Sequence, residues 1–475
     1  MDADVLIVGL GPVGSCLATI LGQAGLRVLA VDRAEAGYHL PRAVVFDDEI
    51  MRLFQGLGLA GEMTAITEPG TGAIFLDADE RVLVRWERPL EPSILGWQVN
   101  RRFHQPELED VLRGAASRCG GVSILWQHDL QALTQDDAGA TASFATPGGQ
   151  RDLRARFVVG CDGGRSTVRR LIGAGIEDLG FHEPWLIADF VNHRPEADPD
   201  RNTYQYCGGE RAGSKVFVGA GRKRWEFRLN PGDDPATIGT PEAVWPMVAR
   251  WITPADARLE RTAVYTFHST ITRQWRRGRV FLAGDAAHQT PPFMGQGMCA
   301  GLRDAANLGW KLAAVCAGAG GALLDSYQTE RLPHVRAYIE LTMQMGRLIN
   351  ETAAAIDNPN VSVADGGPQA LSQIRPRLGP GLGHGPHRGE MFPQPCITGQ
   401  PLRDDRLGPG WALVVDGDAP DIGSARVAVE AGPDAITRAW MRDRGAVAAL
   451  LRPDRYVFAT AGSRDEIAAL LAAVP

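Results

Sequence analysis

Short, unbroken apolar runs alternate along this chain with stretches in which apolar residues recur every three or four positions, the pattern of buried strands feeding amphipathic helices. Residues 4–8 form the first run. It passes directly into Gly9-Leu10-Gly11-Pro12-Val13-Gly14 and a helix that turns Leu17, Ile20 and Leu21 inward and ends near Gly25. A second strand over residues 27–31 stops at Asp32. Residues 73–88 alternate as paired strands around an Asp-Ala-Asp-Glu turn, and residues 105–118 predict a helix with Pro106 in its first turn. Further strands are expected at 122–126, 141–144 and 157–160. The last of these runs into Cys161-Asp162-Gly163-Gly164, with Ser166, Arg169 and Arg170 opening a helix.

The periodicity then changes. Residues 181–270 read as alternating strands, including 215–219 and 225–229, with little helical pattern. A buried strand returns at 280–283, followed by Gly284-Asp285, by Pro291-Pro292, which exclude a helix, and by a helix beginning near Met298. Long helices follow at 302–317 and 326–349. Beyond a stretch rich in Gly, Pro and His, strands at 411–415, 427–429 and 456–459 and helices at 436–444 and 464–473 make a small α/β appendage. The pattern thus divides the chain into a nucleotide-type domain (1–72, 95–180 and 271–355), a sheet domain (73–94 and 181–270), a linker (356–388) and a terminal unit (389–475).

Composition narrows the function. With 475 residues, 44% hydrophobic and 22% charged, the chain is an ordinary globular protein with a large core. Its net charge of -7 and the lack of any basic run exclude nucleic acid as a main partner. No run of 18 apolar residues exists and the first apolar stretch is too short for a signal peptide, so no membrane association and a cytoplasmic location are expected. The seven cysteines form no CxxC pair, so most should be reduced and buried, without a redox dithiol or a metal.

The glycine turn carries the clearest chemistry. Gly9 permits the tight bend, Gly11 lets a pyrophosphate approach the backbone, Gly14 lets the helix pack on the sheet, and Asp32 stands where a ribose diol is gripped. Asp285, just past a strand, suits a sugar hydroxyl. Gly295 and Gly297 leave amides bare at a helix start, where something flat and electron-rich can rest. The loop Tyr38-His39-Leu40-Pro41-Arg42-Ala43 sets Arg42 beside this site or in solvent. For substrate, Tyr204 and Tyr206 share one strand face and Arg211 can meet a carboxylate, although paired Tyr usually pack a sheet and a loop Arg is usually solvated. His288 is a weak catalytic candidate beside a structural hydrogen-bonding role.

With these motifs in place, the chain resembles the aromatic-ring hydroxylase family of single-component FAD monooxygenases over at least residues 1–350. Gly9-x-Gly11-x-x-Gly14 with Asp32, Cys161-Asp162-Gly163 to Arg169, and Gly284-Asp285 follow the family's order. Pro41-Arg42-Ala43 before Asp47-Asp48-Glu49, Gln105-Pro106-x-Leu108-Glu109, and Arg224-Trp225-Glu226-Phe227 with Pro231-Gly232 look most like the 3-(3-hydroxyphenyl)propionate hydroxylases. Arg452 to Val457 is similar to the closing strand of a thioredoxin-like domain, here without CxxC and so structural or associative.

The resemblance implies an α/β fold: a Rossmann-like FAD-binding domain, an inserted β-sheet substrate domain and a C-terminal thioredoxin-like domain. It implies that Gly9, Gly11, Pro12, Val13 and Gly14 hold the FAD pyrophosphate and that Asp32, with Arg33, holds the ribose. Arg42 and Gln105 would serve the phosphate and ribityl region, and Leu130 would be a further cofactor contact. Asp162 and Gly163 would support both FAD and a docking nicotinamide. Gly284 and Asp285 would meet the ribityl chain, and Pro292, Gly295, Gln296, Gly297 and Met298 the flavin ring. Cys299 stands where many members have Asn. The implied reaction is hydroxylation of a phenolic aromatic acid, such as a 3-hydroxyphenylpropionate-like compound, by O2 through a flavin C4a-hydroperoxide. NADH or NADPH acts as a transient reductant, since no second GxGxxG is present. The sequence leaves open another phenol or an aromatic polyketide as substrate, a catalytically silent FAD-binding protein, and association as a homodimer.

Overall fold

The computed structural model describes residues 1–37, 42–197, 199–208, 210–219, 221–357, 374–420 and 426–474. The tip Tyr38 to Pro41 of the predicted arginine loop and residues 358–373 of the predicted linker therefore lie outside the described residues.

The first sheet is built around Ala3–Val8, which pairs in parallel with Val28–Val31 on one side and with Gly149–Gly160 on the other. Val280–Leu282 lies parallel beyond Gly149–Gly160, and Val122–Leu125 parallel beyond Val28–Val31. Both faces of Ala3–Val8 are covered, which is why the run is continuously apolar. Helix Pro12–Gln23 packs against helices Gln296–Cys316 and Gln105–Arg118. Two strands, Asp129–Gln135 and Ala140–Thr146, extend Gly149–Gly160 in antiparallel fashion. The first of them escapes the sequence pattern because Leu130 is its only buried residue.

The second sheet has eight strands in the order His288–Gln289, Ala257–Thr272, Ile176–Asn192, Arg222–Arg228, Gly213–Gly219, Asn202–Tyr206, Gly72–Leu76, Val82–Glu87. The parallel pair Asn202–Tyr206 and Gly72–Leu76 joins the two sequence-distant pieces. Its outer face buries Leu186, Phe190, Trp225 and Phe227 against Val244 and Val248 of helix Pro241–Val248. That helix interrupts a span expected to be almost free of helix; eight residues with an internal Pro246 are too few to register as a period.

The third sheet, ordered Val427–Ala431, Trp411–Val415, Ala448–Leu451, Val457–Ala461, mixes parallel and antiparallel pairs. It docks on the first domain through buried polar contacts. Arg52 grips Asp404 with Nε–Oδ2 at 2.6 Å and Nη2–Oδ1 at 3.0 Å, and Arg452 Nη1 donates to Glu330 Oε1 at 2.8 Å. Only Cys16, Cys207 and Cys299 are fully buried, whereas Cys396 is exposed, so cysteine burial is less general than composition suggested. Among the described residues no helix is long and apolar enough to cross a membrane.

Candidate active site

Parallel pairing brings the carboxyl ends of Ala3–Val8, Gly149–Gly160 and Val280–Leu282 side by side, and each strand delivers one motif to the same place. A cavity of about 1620 Å³ opens there. This exceeds the roughly 300–1,000 Å³ of a single-ligand pocket and suits a dinucleotide together with a second, smaller molecule.

The three glycines of the first turn have separate roles. A β-carbon on Gly14 would meet the Gly9 carbonyl oxygen at 1.9 Å, and one on Gly9, which has φ 106°, would meet the Cys161 oxygen at 2.4 Å. Those two are set by packing. Gly11 lies on the cavity wall with nothing within 4 Å of where its β-carbon would be, so a ligand can touch its backbone. Pro12, Val13 and Arg33 line the same wall. Asp32 fixes the turn, accepting from Leu10 N at 2.8 Å and from Ala34 N at 2.9 Å.

Asp285 turns its carboxylate to the cavity, and no donor among the described residues reaches it. Burial raises its pKa, against the pull of His288, Arg42 and Arg169. A chain of hydroxyls would satisfy this acceptor, which is the observation that fits a flavin's polyol arm. Pro292, Gln296 and Met298 also line the cavity. Helix Gln296–Cys316 starts two residues before its expected position. Its N-cap Gly295 is left-handed, with φ 65°, and offers no side-chain cap, so first-turn amides stay available to an electron-rich ring. Gly297 leaves open space, while a β-carbon on Gly295 would meet Val45 Cγ1 at 2.2 Å. Cys299 lies fully buried behind this turn and donates its thiol to the Gly295 carbonyl, so it is not part of the cavity wall.

Gln105 Oε1 accepts from the amides of Arg42 at 2.8 Å and Ala43 at 2.7 Å, so it holds in place the loop that puts Arg42 on the cavity wall. Asp162 reaches the wall beside Gly163, but its carboxylate takes Ser166 Oγ at 2.5 Å, Thr167 N at 2.7 Å and Val168 N at 3.0 Å, and so caps the next helix. Leu130 lies in the core of the first domain, paired with Phe144, and is not among the residues that line the cavity.

The inner face of the second sheet roofs the cavity, and here the expected substrate residues are misplaced. Tyr204 and Tyr206 do share a face, but it is the outer one, where Tyr206 packs on Trp251 at 4.7 Å and Lys215 lies over Tyr204. Thr203 and Gln205, the alternate positions, line the cavity. Arg211 is paired with Asp233 through both oxygens, with Nη2–Oδ1 at 3.0 Å, and is not on the wall. His288 is fully buried, with Nε2 at 2.7 Å from Asp304 Oδ2, which makes it structural.

The roof instead presents Ser214, Val216, Arg224 and Glu226, faced by Arg102. Arg224 is held by Asp189 at 2.7 and 3.2 Å. Arg102 donates from Nη2 to Thr203 Oγ1 at 3.0 Å, while its buried Nε has no partner, and burial with Arg88 nearby brings its pKa down to about 10. The signal for the roof residues is the period-two run Arg222 to Arg228, which sends Arg224 and Glu226 to one face and Trp225 and Phe227 to the other.

Comparison with known proteins agrees with this geometry. Residues 2–342 match the family described as FAD binding domain. A probable NADH-specific resorcinol 4-hydroxylase of Rhodococcus jostii (strain RHA1) is 38% identical, over 98% of this chain and 93% of that protein. A 3-(3-hydroxy-phenyl)propionate/3-hydroxycinnamic acid hydroxylase of Mycobacterium avium (strain 104) is 36% identical over 87% of this chain and 76% of that protein. Among solved structures, the flavin-dependent monooxygenase PieE in complex with FAD and substrate superposes with a TM-score of 0.84 at 20% identity, covering 100% of this chain and 98% of that one, a likeness of fold.

Proposed function

The chain belongs to the FAD-binding domain family, and from that premise we propose that it is an FAD-dependent, NADH-using hydroxylase of a monocyclic phenol with a second polar substituent meta to the hydroxyl. The observation that carries this reading is the continuity of one cavity from the bare backbone of Gly11, past the unmatched carboxylate of Asp285, to the chamber under the second sheet. Resorcinol and 3-(3-hydroxyphenyl)propionate, the substrates named for the two relatives, share the meta-substituted phenol.

In this reading Gly11, Pro12 and Val13 take the pyrophosphate, Asp32 and Arg33 the adenosine ribose, Arg42 the phosphates, and Asp285 the ribityl hydroxyls. The first-turn amides of Gln296–Cys316 hold the pyrimidine edge and favour negative charge there. When bound, FAD supplies the redox chemistry: two electrons from NADH and activation of O2, one atom of which enters the ring while the other leaves as water. The chain's own part is to orient the phenol and exclude water. Trp86, Trp185, Phe293 and Met294 supply an apolar wall for that purpose.

The test is aerobic turnover by the FAD-loaded protein. Resorcinol or 3-(3-hydroxyphenyl)propionate should accelerate NADH oxidation and O2 uptake and give a product heavier by one oxygen atom. A panel of meta-substituted phenols that leaves NADH oxidation at its substrate-free rate and yields no such product overturns the proposal.

A further inference from the structure

On the roof of the cavity, strand register aligns Ile187, Glu226, Ser214 and Gln205 in one row across four adjacent strands. All four line the cavity. The polar members are engaged unequally. Gln205 Nε2 donates to the Gly213 carbonyl at 2.9 Å, and Ser214 Oγ donates to Glu226 Oε2 at 3.1 Å. Glu226 Oε1 accepts no hydrogen bond from the described residues: the closest cation, Arg224 Nη1, stands 3.8 Å away and donates to the Arg42 carbonyl at 2.6 Å, while Nε and Nη2 of the same guanidinium hold Asp189. The row therefore offers the chamber one open carboxylate oxygen, with the other oxygen of the same group fixed by Ser214.

We propose that Glu226 is a catalytic residue of this enzyme: its Oε1 accepts the hydrogen bond and then the proton of the substrate's phenolic hydroxyl, making the ring nucleophilic. This rests on the proposed function. The phenol O–H bond breaks as the proton passes to Oε1, and the freed electron pair raises electron density at the ring carbon that forms the new C–O bond. The oxygen comes from O2, the two electrons from NADH by way of FAD, and the second oxygen atom leaves as water. The ring carbon then loses its own proton to the departing oxygen atom, which completes the water; as aromaticity returns, Glu226 gives its proton back to the phenolic oxygen, so no net acid or base is consumed at this residue.

The surroundings suit a base. Burial and the nearby Asp189 raise the pKa of Glu226, against Arg224, the Ser214 hydrogen bond and Arg102, toward the range in which a carboxylate accepts a phenolic proton more readily. Arg102 lines the same chamber, and its positive charge favours the oxygen anion that the transfer creates.

The experiment compares FAD-loaded wild type with E226Q and S214A on a phenol that wild type turns over. For E226Q, hydroxylation should fall about 10²-fold. NADH oxidation should continue with release of hydrogen peroxide, and the acid limb of wild type should be replaced by one at higher pH that follows the ionisation of the phenol itself. Raising the pH until the phenol itself ionises should restore E226Q toward wild type. S214A removes a hydrogen bond that lowers the Glu226 pKa, so its acid limb should move to higher pH, which serves as the readout if E226Q fails to retain FAD. An E226Q enzyme with wild-type rate and pH profile, or an S214A enzyme with an unmoved limb, overturns the assignment while leaving the hydroxylase reading intact. A wild type inactive on every meta-substituted phenol overturns the hydroxylase reading itself.

Discussion

His288 Nε2 donates to Asp304 Oδ2 at 2.7 Å, with both side chains fully buried, and this pair fastens the loop carrying Asp285 to the helix whose first turn lines the cavity. The same oxygen accepts from Gly284 N at 3.0 Å, and Oδ1 accepts from Arg331 Nε at 2.8 Å. One carboxylate thus sets the spacing between the polyol acceptor and the helix start. Removing it leaves the Arg331 charge buried and unpaired, at a cost of about 3–5 kcal/mol. Asp304→Ala should therefore lower the melting temperature of the protein and release FAD on gel filtration. Retention of FAD with an unchanged melt would show that the loop is held by other contacts.

Two glycines in one turn should answer differently to the same substitution. Gly14→Ala drives a β-carbon into the Gly9 carbonyl and should unfold or strongly destabilise the domain. Gly11→Ala meets no protein atom, and its β-carbon occupies space assigned to the pyrophosphate. It should leave the melt of the apoprotein unchanged while weakening FAD at least tenfold, measured by fluorescence titration.

Arg211 gives the opposite expectation. Its guanidinium grips Asp233 away from the cavity, so Arg211→Ala should leave the substrate KM within about twofold, whereas Arg102→Ala, on the cavity wall, should not. A large rise in KM for Arg211→Ala would reinstate it as a substrate ligand.

The contrast between Arg211 and Glu226 shows what the sequence discloses. The glycine turn, the strand ending at Asp32 and the segment before Asp285 are local signals: each couples a continuous apolar run to a glycine or an acid at fixed spacing, and each lies where that spacing puts it, as does the helix 105–118 with its first-turn proline. The roof depends on which face of a two-sided sheet meets the first domain. Period-two alternation says that Tyr204 and Tyr206 share a face, but both faces bury large side chains, and nothing local says which one looks inward. Arg102 is further from reach, because its role arises from a three-residue strand brought under the sheet by the fold. The contacts of the C-terminal unit, Arg452 with Glu330, Arg52 with Asp404 and Tyr456 with Glu49, join residues 122, 352 and 407 positions apart and leave no local trace.

Those contacts reach the cavity. Tyr456 donates to Glu49 Oε1 at 2.5 Å, and Glu49 Oε2 lies 2.8 Å from Arg303 Nε. Arg303 holds Asp47 at 2.5 Å and the Gln296 side chain at 3.0 Å, both on the cavity wall. Tyr456→Phe removes one hydrogen bond to a charged group, worth about 1.5–3 kcal/mol. It should lower stability by that order and loosen FAD several-fold without altering the helical content. An FAD affinity equal to wild type would confine the C-terminal unit to a purely structural role.

Acid should act on the junction between the domains through Glu330. Burial pushes its carboxyl up, but Arg452 and Lys311, with hydrogen bonds from Lys311 and Asn307, bring it down to about 2 from an ordinary 4.5. A folded-state pKa below the unfolded one means that the unfolded chain binds the extra proton first. The stabilisation is then complete above pH 4.5 and is lost as pH falls toward 2. The shift corresponds to about 3 kcal/mol. Glu330→Gln should reduce stability by that order at neutral pH and flatten the loss between pH 4.5 and 2, measured by urea denaturation at a series of pH values. A variant with the same acid slope as wild type would place the acid sensitivity at other carboxylates, with Asp304 the first to examine.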